Sequence, residues 1–216
     1  MTAQAWGLAA GVTDAASFPV YAAGVRWFGR KPGRVGWVMY GLFYAYIAAA
    51  QASAGATWSN LITVTEAAGC VWIAVLSVRH GEDDLTRRPG DGWWMLPARN
   101  PVMALCFGWL AAACAVWPLV APATRLWLIV SVDGLASWQV VRYAARHGGE
   151  SPGSWGLYAL GCALSAGAVT QPWPSILYLY PVAGTVFGTS VLCALWSHAQ
   201  DVREVRPRGR HERVRA

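Results

Sequence analysis

The sequence predicts an all-α polytopic membrane protein of seven transmembrane helices, in which two parallel triple-helix repeats are joined by a linker helix. Three observations carry that prediction: seven apolar stretches of spanning length, an imbalance of basic residues between alternate loops, and an internal duplication. Composition frames them. Of 216 residues, 56% are hydrophobic and only 13% are charged, against about 25% charged in an ordinary soluble domain. Such a balance excludes disordered, fibrous and soluble nucleic-acid-binding chains, and the net charge of +6 takes its meaning from where the charges fall.

A span needs roughly 20 predominantly apolar residues. The stretches that qualify are Ala5–Phe28, Val35–Ala54, Thr57–Val78, Pro101–Val120, Thr124–Ala145, Ser154–Thr170 and Pro174–Trp196. The opening Met-Thr-Ala-Gln has no basic residue, so the first run reads as a retained span and not a signal peptide. Arg26, Arg30, Lys31 and Arg34 follow span one; Arg79, Arg87, Arg88 and Arg99 follow span three; Arg142 and Arg146 follow span five. The tail adds Arg203, Arg206, Arg208, Arg210, Arg213 and Arg215, and Arg125 alone lies on the other side, so 16 of 17 basic residues share one face. The positive-inside rule then puts the N-terminus outside and the C-terminus in the cytoplasm, in a cell membrane. The basic tail carries this signature, and membrane lipid headgroups are its expected neighbours.

The duplication is legible residue by residue. Ser17 and Val20 recur as Ser137 and Val140, and Arg26, Gly29, Pro32 and Gly33 recur as Arg146, Gly149, Pro152 and Gly153, all at offset 120. Trp37 and Tyr40 match Trp155 and Tyr158 at offset 118, and Trp58, Ala68 and Gly69 match Trp173, Ala183 and Gly184 at offset 115. The expected units are residues 1–78 as the first repeat, 79–121 as cytoplasmic loop and linker helix, 122–197 as the second repeat, and 198–216 as the basic tail. A single linker span makes both units enter from the same side, so the repeats are parallel. This 3+1+3 plan, with Pro-Gly-x-x-x-Trp-x-x-Tyr at Pro152–Tyr158 after a basic loop, resembles the SWEET and PQ-loop superfamily. Gln139 stands where that family has the Gln of its second PQ dipeptide, with Trp138 in place of the Pro, and Pro19 keeps the first Pro. Of the family's hinge prolines only Pro19 remains. Glu66 and Pro181 occupy the positions of its substrate-binding asparagines.

Of 11 acidic residues, three lie inside predicted spans: Asp14, Glu66 and Asp133. Each sits nine residues from the expected start of its span, about 14 Å deep in a hydrocarbon core of ~30 Å. A charged carboxylate at that depth costs at least ~2.5–3.5 kcal/mol, and no basic residue is predicted at the same level. Such an acid either bonds a neighbouring helix as structural glue or serves as a proton donor. Three at one depth favour the chemical role, and Asp14, Glu66 and Asp133 are the candidate catalytic residues.

The chain holds 14 tryptophans. Trp6, Trp27, Trp58, Trp93, Trp94, Trp173 and Trp196 fall near span ends, where interfacial belts form. Deeper, Trp37, Tyr40 and Tyr44 share one face of span two, Trp155 and Tyr158 repeat the pattern in span six, and Trp72 and Trp138 follow the acids Glu66 and Asp133. These seven are the expected lining of a substrate cavity, where π faces stabilise cations. Gly7-x-x-x-Gly11 and Gly184-x-x-x-Gly188 are expected to bring helices close.

Two functions fit. The leading expectation is proton-initiated cyclisation of a prenylated, lipophilic small molecule, with the carbocation held by aromatic faces and water excluded. In size, span number and tryptophan content the chain is similar to the small integral-membrane terpene cyclases of fungal meroterpenoid pathways and their bacterial relatives, although Phe43-Tyr44-Ala45 stands where those enzymes have a Trp-Glu pair. The alternative is a proton-coupled transporter of a small solute, of the SWEET or PQ-loop type. A retinal photoreceptor is excluded because Lys31, the only lysine, lies in a loop. The cysteines Cys70, Cys106, Cys114, Cys162 and Cys193 have no metal or redox spacing, and no cofactor or metal is expected.

Overall fold

The computed structural model describes residues 1–28, 34–80 and 101–205. Among them are seven α-helices and no strand: α1 (Ala3–Phe28), α2 (Arg34–Ser53), α3 (Leu61–His80), α4 (Pro101–Val116), α5 (Pro122–His147), α6 (Pro152–Ala166) and α7 (Leu179–Val205). Gly29, Arg30, Lys31, Pro32 and Gly33, then Arg87, Arg88, Trp93, Trp94 and Arg99, and the tail from Arg206 onward lie outside the described residues.

Local chemistry places the helix ends. α4, α5 and α6 each open on a proline, whose missing N–H is unneeded in a first turn. The Ser151 hydroxyl accepts from the Ser154 N–H at 3.5 Å at the start of α6. α5 stops at Gly148, whose φ of 60° is the left-handed conformation that favours glycine at a helix end. Span four was expected to reach Val120, but α4 gives way to a 3-10 turn, Trp117–Leu119, because Pro118 has no N–H to extend the helix. The sixth span was expected to end at Thr170 and stops at Ala166, where the Gly167 N–H turns back to the Leu164 carbonyl at 3.1 Å. The seventh was expected from Pro174. Its α-helix starts at Leu179, after a 3-10 turn in which Ser175 Oγ accepts from the Leu177 N–H at 3.3 Å. It continues to Val205, so the first part of the expected tail is helical.

Two helical stretches, Trp58–Ser77 and Ile176–Val202, are long and apolar enough to cross a membrane, and Ala104–Leu119 is apolar but shorter. α6 is 15 residues long, and polar residues interrupt α5, which carries Arg125, Asp133, Gln139, Arg142 and Arg146.

The helices pack in a pattern that repeats between the two ends of the chain. α3 lies against both α1 and α2, and α7 lies against both α5 and α6. Between the triplets, α1 meets α6 and α2 meets α5, the first of these faces being the more extensive. Exchanging α1–α3 for α5–α7 leaves this set of neighbours unchanged. α4 packs on α5 at the edge. There Tyr46 Oη donates to the Ala113 carbonyl at 2.9 Å, and Arg125 lies 4.6 Å over the Trp117 ring.

Small residues permit the close approaches. A Cβ on Gly7 would stand 2.5 Å from the Trp58 carbonyl oxygen, and one on Gly11 2.9 Å from Leu61 Cγ. On the other side, Gly188 faces Ala159 and Gly184 faces Cys162 Sγ. Both G-x-x-x-G pairs therefore sit at contacts within the bundle. The tightest case is Gly69, against which the Phe18 ring is pressed so closely that a methyl group has no room. Gly69→Ala is expected to lower stability by about 1–3 kcal/mol, as overpacking does. The readout is a reduced melting temperature of the detergent-solubilised chain, and an unchanged melt would refute this packing.

Candidate functional site

The three acids are buried. Asp14 on α1 is 0% exposed, Glu66 on α3 is 1% exposed and Asp133 on α5 is 4% exposed. Glu66 is within electrostatic reach of both Asp14 and Asp133. Among the described residues no arginine, lysine or histidine bears on any of the three. Nor does any group of His, Cys, Asp and Glu side chains gather as a metal site would require among those residues.

Their partners differ. Thr65 Oγ1 donates to Asp14 Oδ2 at 2.9 Å, while the same oxygen lies 2.7 Å from the Ile62 carbonyl, so one hydroxyl hydrogen serves two acceptors. Tyr180 Oη donates to Glu66 Oε2. The Cys162 thiol approaches Glu66 Oε1 at 4.0 Å. Asp133 makes no hydrogen bond to any described residue, and its Oδ1 is enclosed without a partner.

Other enclosed oxygens share that condition. Asp14 Oδ1, Tyr40 Oη, Ser137 Oγ and Tyr158 Oη also lack hydrogen-bond partners. Tyr40 lies beside Ser137, and Tyr158 beside Tyr44, without reaching hydrogen-bond geometry. The Asp133 carboxyl is within electrostatic reach of Tyr40, Tyr44 and Tyr158. These groups come from α1 and α2 of one triplet and α5 and α6 of the other. Gly161 on α6 helps to bring the triplets together, since a Cβ there would lie 3.2 Å from Asp14 Cβ.

Aromatic rings surround the polar groups in two runs. Trp37 meets Tyr40 edge-on at 6.3 Å, Tyr40 stacks on Tyr44 at 6.0 Å, and Tyr44 meets the Tyr180 ring at 6.2 Å. In the other triplet Trp155 meets Tyr158 edge-on at 5.5 Å and Phe187 at 5.1 Å. The Trp37–Tyr40 and Trp155–Tyr158 pairs, matched in sequence, thus repeat the same edge-on geometry. Five of the seven expected lining residues, Trp37, Tyr40, Tyr44, Trp155 and Tyr158, belong to these runs.

Trp72 and Trp138 do not. They are 44% and 61% exposed on the outside of the bundle. At 3.6 residues per turn each residue advances about 100°, so a side chain five or six positions beyond an acid points well away from it. Four positions return to the same face, and there stand Cys70, 2% exposed, and Ser137, 3% exposed.

Sequence reasoning missed Tyr180, Thr65, Cys162 and Phe187, and took Ser137 only as a marker of the repeat. A signal for two of them was present: Thr65 and Tyr180 are equivalent at offset 115, and each donates a hydroxyl to a buried acid. No protein-family model, no curated protein and no solved structure matches the chain.

Proposed function

We propose that this chain is a proton-coupled carrier of a small polar solute, embedded in the cell membrane by seven helices, with its N-terminus outside and its C-terminus in the cytoplasm. One observation carries the reading: five enclosed oxygens without partners where the two triplets meet. A buried polar atom left unsatisfied costs about 1–3 kcal/mol, and native proteins rarely leave several together without a guest to complete them. A polar solute completes such a set; a hydrocarbon does not. The interchangeable packing of the two triplets supports the parallel-repeat plan, in which solute sites lie between repeats and rocking of one against the other alternates access. Within that scheme the buried carboxyls exchange the coupled proton.

A second reading, cyclisation of a prenylated substrate, is favoured by one geometric fact: the Glu66 carboxyl heads a run of rings through Tyr180, Tyr44 and Tyr40. In that scheme the acid protonates an alkene or epoxide and the rings hold the resulting cation.

Reconstitution separates the two. Proteoliposomes bearing the full chain are expected to accumulate a polar solute under an imposed proton gradient and to lose it when a protonophore is added. Tyr40→Phe and Tyr158→Phe are each expected to raise KM about three- to tenfold with little change in kcat, as loss of one hydrogen bond to a solute predicts. Conversion of a farnesylated or geranylated phenol to a ring-closed product by the same membranes, with no solute uptake, would overturn the carrier in favour of the cyclase.

A further inference from the structure

Asp133 differs from the other two acids in its surroundings. Thr65 holds Asp14, and Tyr180 and Cys162 hold Glu66, but no described residue holds Asp133. Besides Tyr44, Glu66 and the thiols of Cys70, Cys106 and Cys162, which lie within its electrostatic reach, three hydroxyls stand near it. Ser137 is one turn further along the same face of α5, Tyr40 comes from α2 and Tyr158 from α6, and the oxygen of each is enclosed without a partner. Ser137 is 3% and Tyr158 5% exposed, so bulk water does not satisfy them.

The ligand chemistry follows from that inventory. Three hydroxyl oxygens beside one carboxyl can all act as acceptors, and an ammonium group is the compact unit that offers three donors and no acceptor. Its charge offsets a carboxylate that no arginine, lysine or histidine among the described residues offsets. The rings of Tyr40 and Tyr158, with Trp155 edge-on behind Tyr158, are surfaces to which a desolvated cation is drawn. A neutral polyol would supply donors but leave the carboxylate uncompensated. An anion would meet three acids. We infer that the ligand is a small organic cation with a primary ammonium group, its nitrogen seated against Asp133 between Tyr40, Ser137 and Tyr158. This rests on the solute-carrier reading and names the solute's chemical class.

The test uses matched shapes. Cyclohexylamine, cyclohexanol and cyclohexanecarboxylate are titrated calorimetrically into the full chain in detergent at neutral pH. The amine is expected to bind at least tenfold more tightly than the alcohol, and the carboxylate not to bind. Asp133→Asn is expected to weaken amine binding at least tenfold and Ser137→Ala about two- to fivefold, while Trp138→Phe, on the outer surface, leaves it unchanged. If Asp133→Asn shows no cooperative melt, Ser137→Ala and the three shapes decide. Equal binding of amine and alcohol, binding of the carboxylate, or no binding of the amine up to about 10 mM, a Kd that already corresponds to less than ~3 kcal/mol, overturns the inference. Proteoliposome flux separates this from the carrier itself. Accumulation of glucose without amine binding leaves a carrier and removes the cation; amine binding without flux of any solute leaves the cation site and removes the carrier.

Discussion

Glu66→Gln is expected to abolish proton-driven accumulation, with at least a hundredfold loss of the uptake that depends on the imposed gradient, while exchange of solute across the membrane at equal pH persists. The reasoning starts from position. Glu66 is within electrostatic reach of both other acids, and its two oxygens are occupied by Tyr180 and Cys162. Glutamine has the same length, still accepts the Tyr180 hydrogen bond through its carbonyl oxygen, and carries no exchangeable acid proton. A role in proton transfer and a role in packing therefore separate: the variant keeps its fold and solute exchange but loses the coupling. Retention of gradient-driven accumulation by Glu66→Gln would show that its proton is not used. Loss of the cooperative melt would show that the carboxyl is a structural strut.

Tyr180→Phe is expected to have the largest effect on stability of any single-atom change in the site, a loss of about 1–3 kcal/mol. The Tyr180 ring is fully enclosed and meets the Tyr44 ring at 6.2 Å, so phenylalanine keeps the packing and removes only the oxygen. Glu66 Oε2 is then left without its donor in a place water does not reach. A double-mutant cycle with Glu66→Met, whose side chain is of similar length and accepts no comparable hydrogen bond, isolates the pair. Its coupling energy should fall at the upper end of the 0.5–3 kcal/mol found for neighbours in one network, because a hydrogen bond to a buried acid is stronger than one between neutral groups. Additive effects of the two substitutions on the melting free energy would mean that the tyrosine and the acid act independently.

Much of this site was legible from spacing. Asp14, Glu66 and Asp133 lie at matching distances into their apolar runs, and three helices of similar rise bring matching distances to similar levels. The Trp37–Tyr40 and Trp155–Tyr158 pairs followed from the repeat together with the i, i+3 rule, and both pairs meet edge-on in the structure. The error at Trp72 and Trp138 was angular. Their sequence distance from the acids is short, but five and six residues fall between one turn and two, so both indoles lie outside. Tyr180 was missed for another reason. It is one of two tyrosines, with Tyr178, just ahead of Pro181, and its importance comes from Glu66, 114 positions away, which no local pattern reports.

The sequence by itself determined the helical class, the places where proline, serine and glycine begin and end the helices, and the matched positions in the two halves, because each depends on near neighbours along the chain. Only the tertiary structure decided which acids are held and which is left open, since Thr65 reaches Asp14 from another helix and Tyr180 reaches Glu66 from the other triplet. It also decided the direction in which each helix turns its polar face. Burial and hydrogen bonding are properties of what lies across the gap between helices, and in this chain that neighbour is 51 residues away for Asp14 and 114 for Glu66.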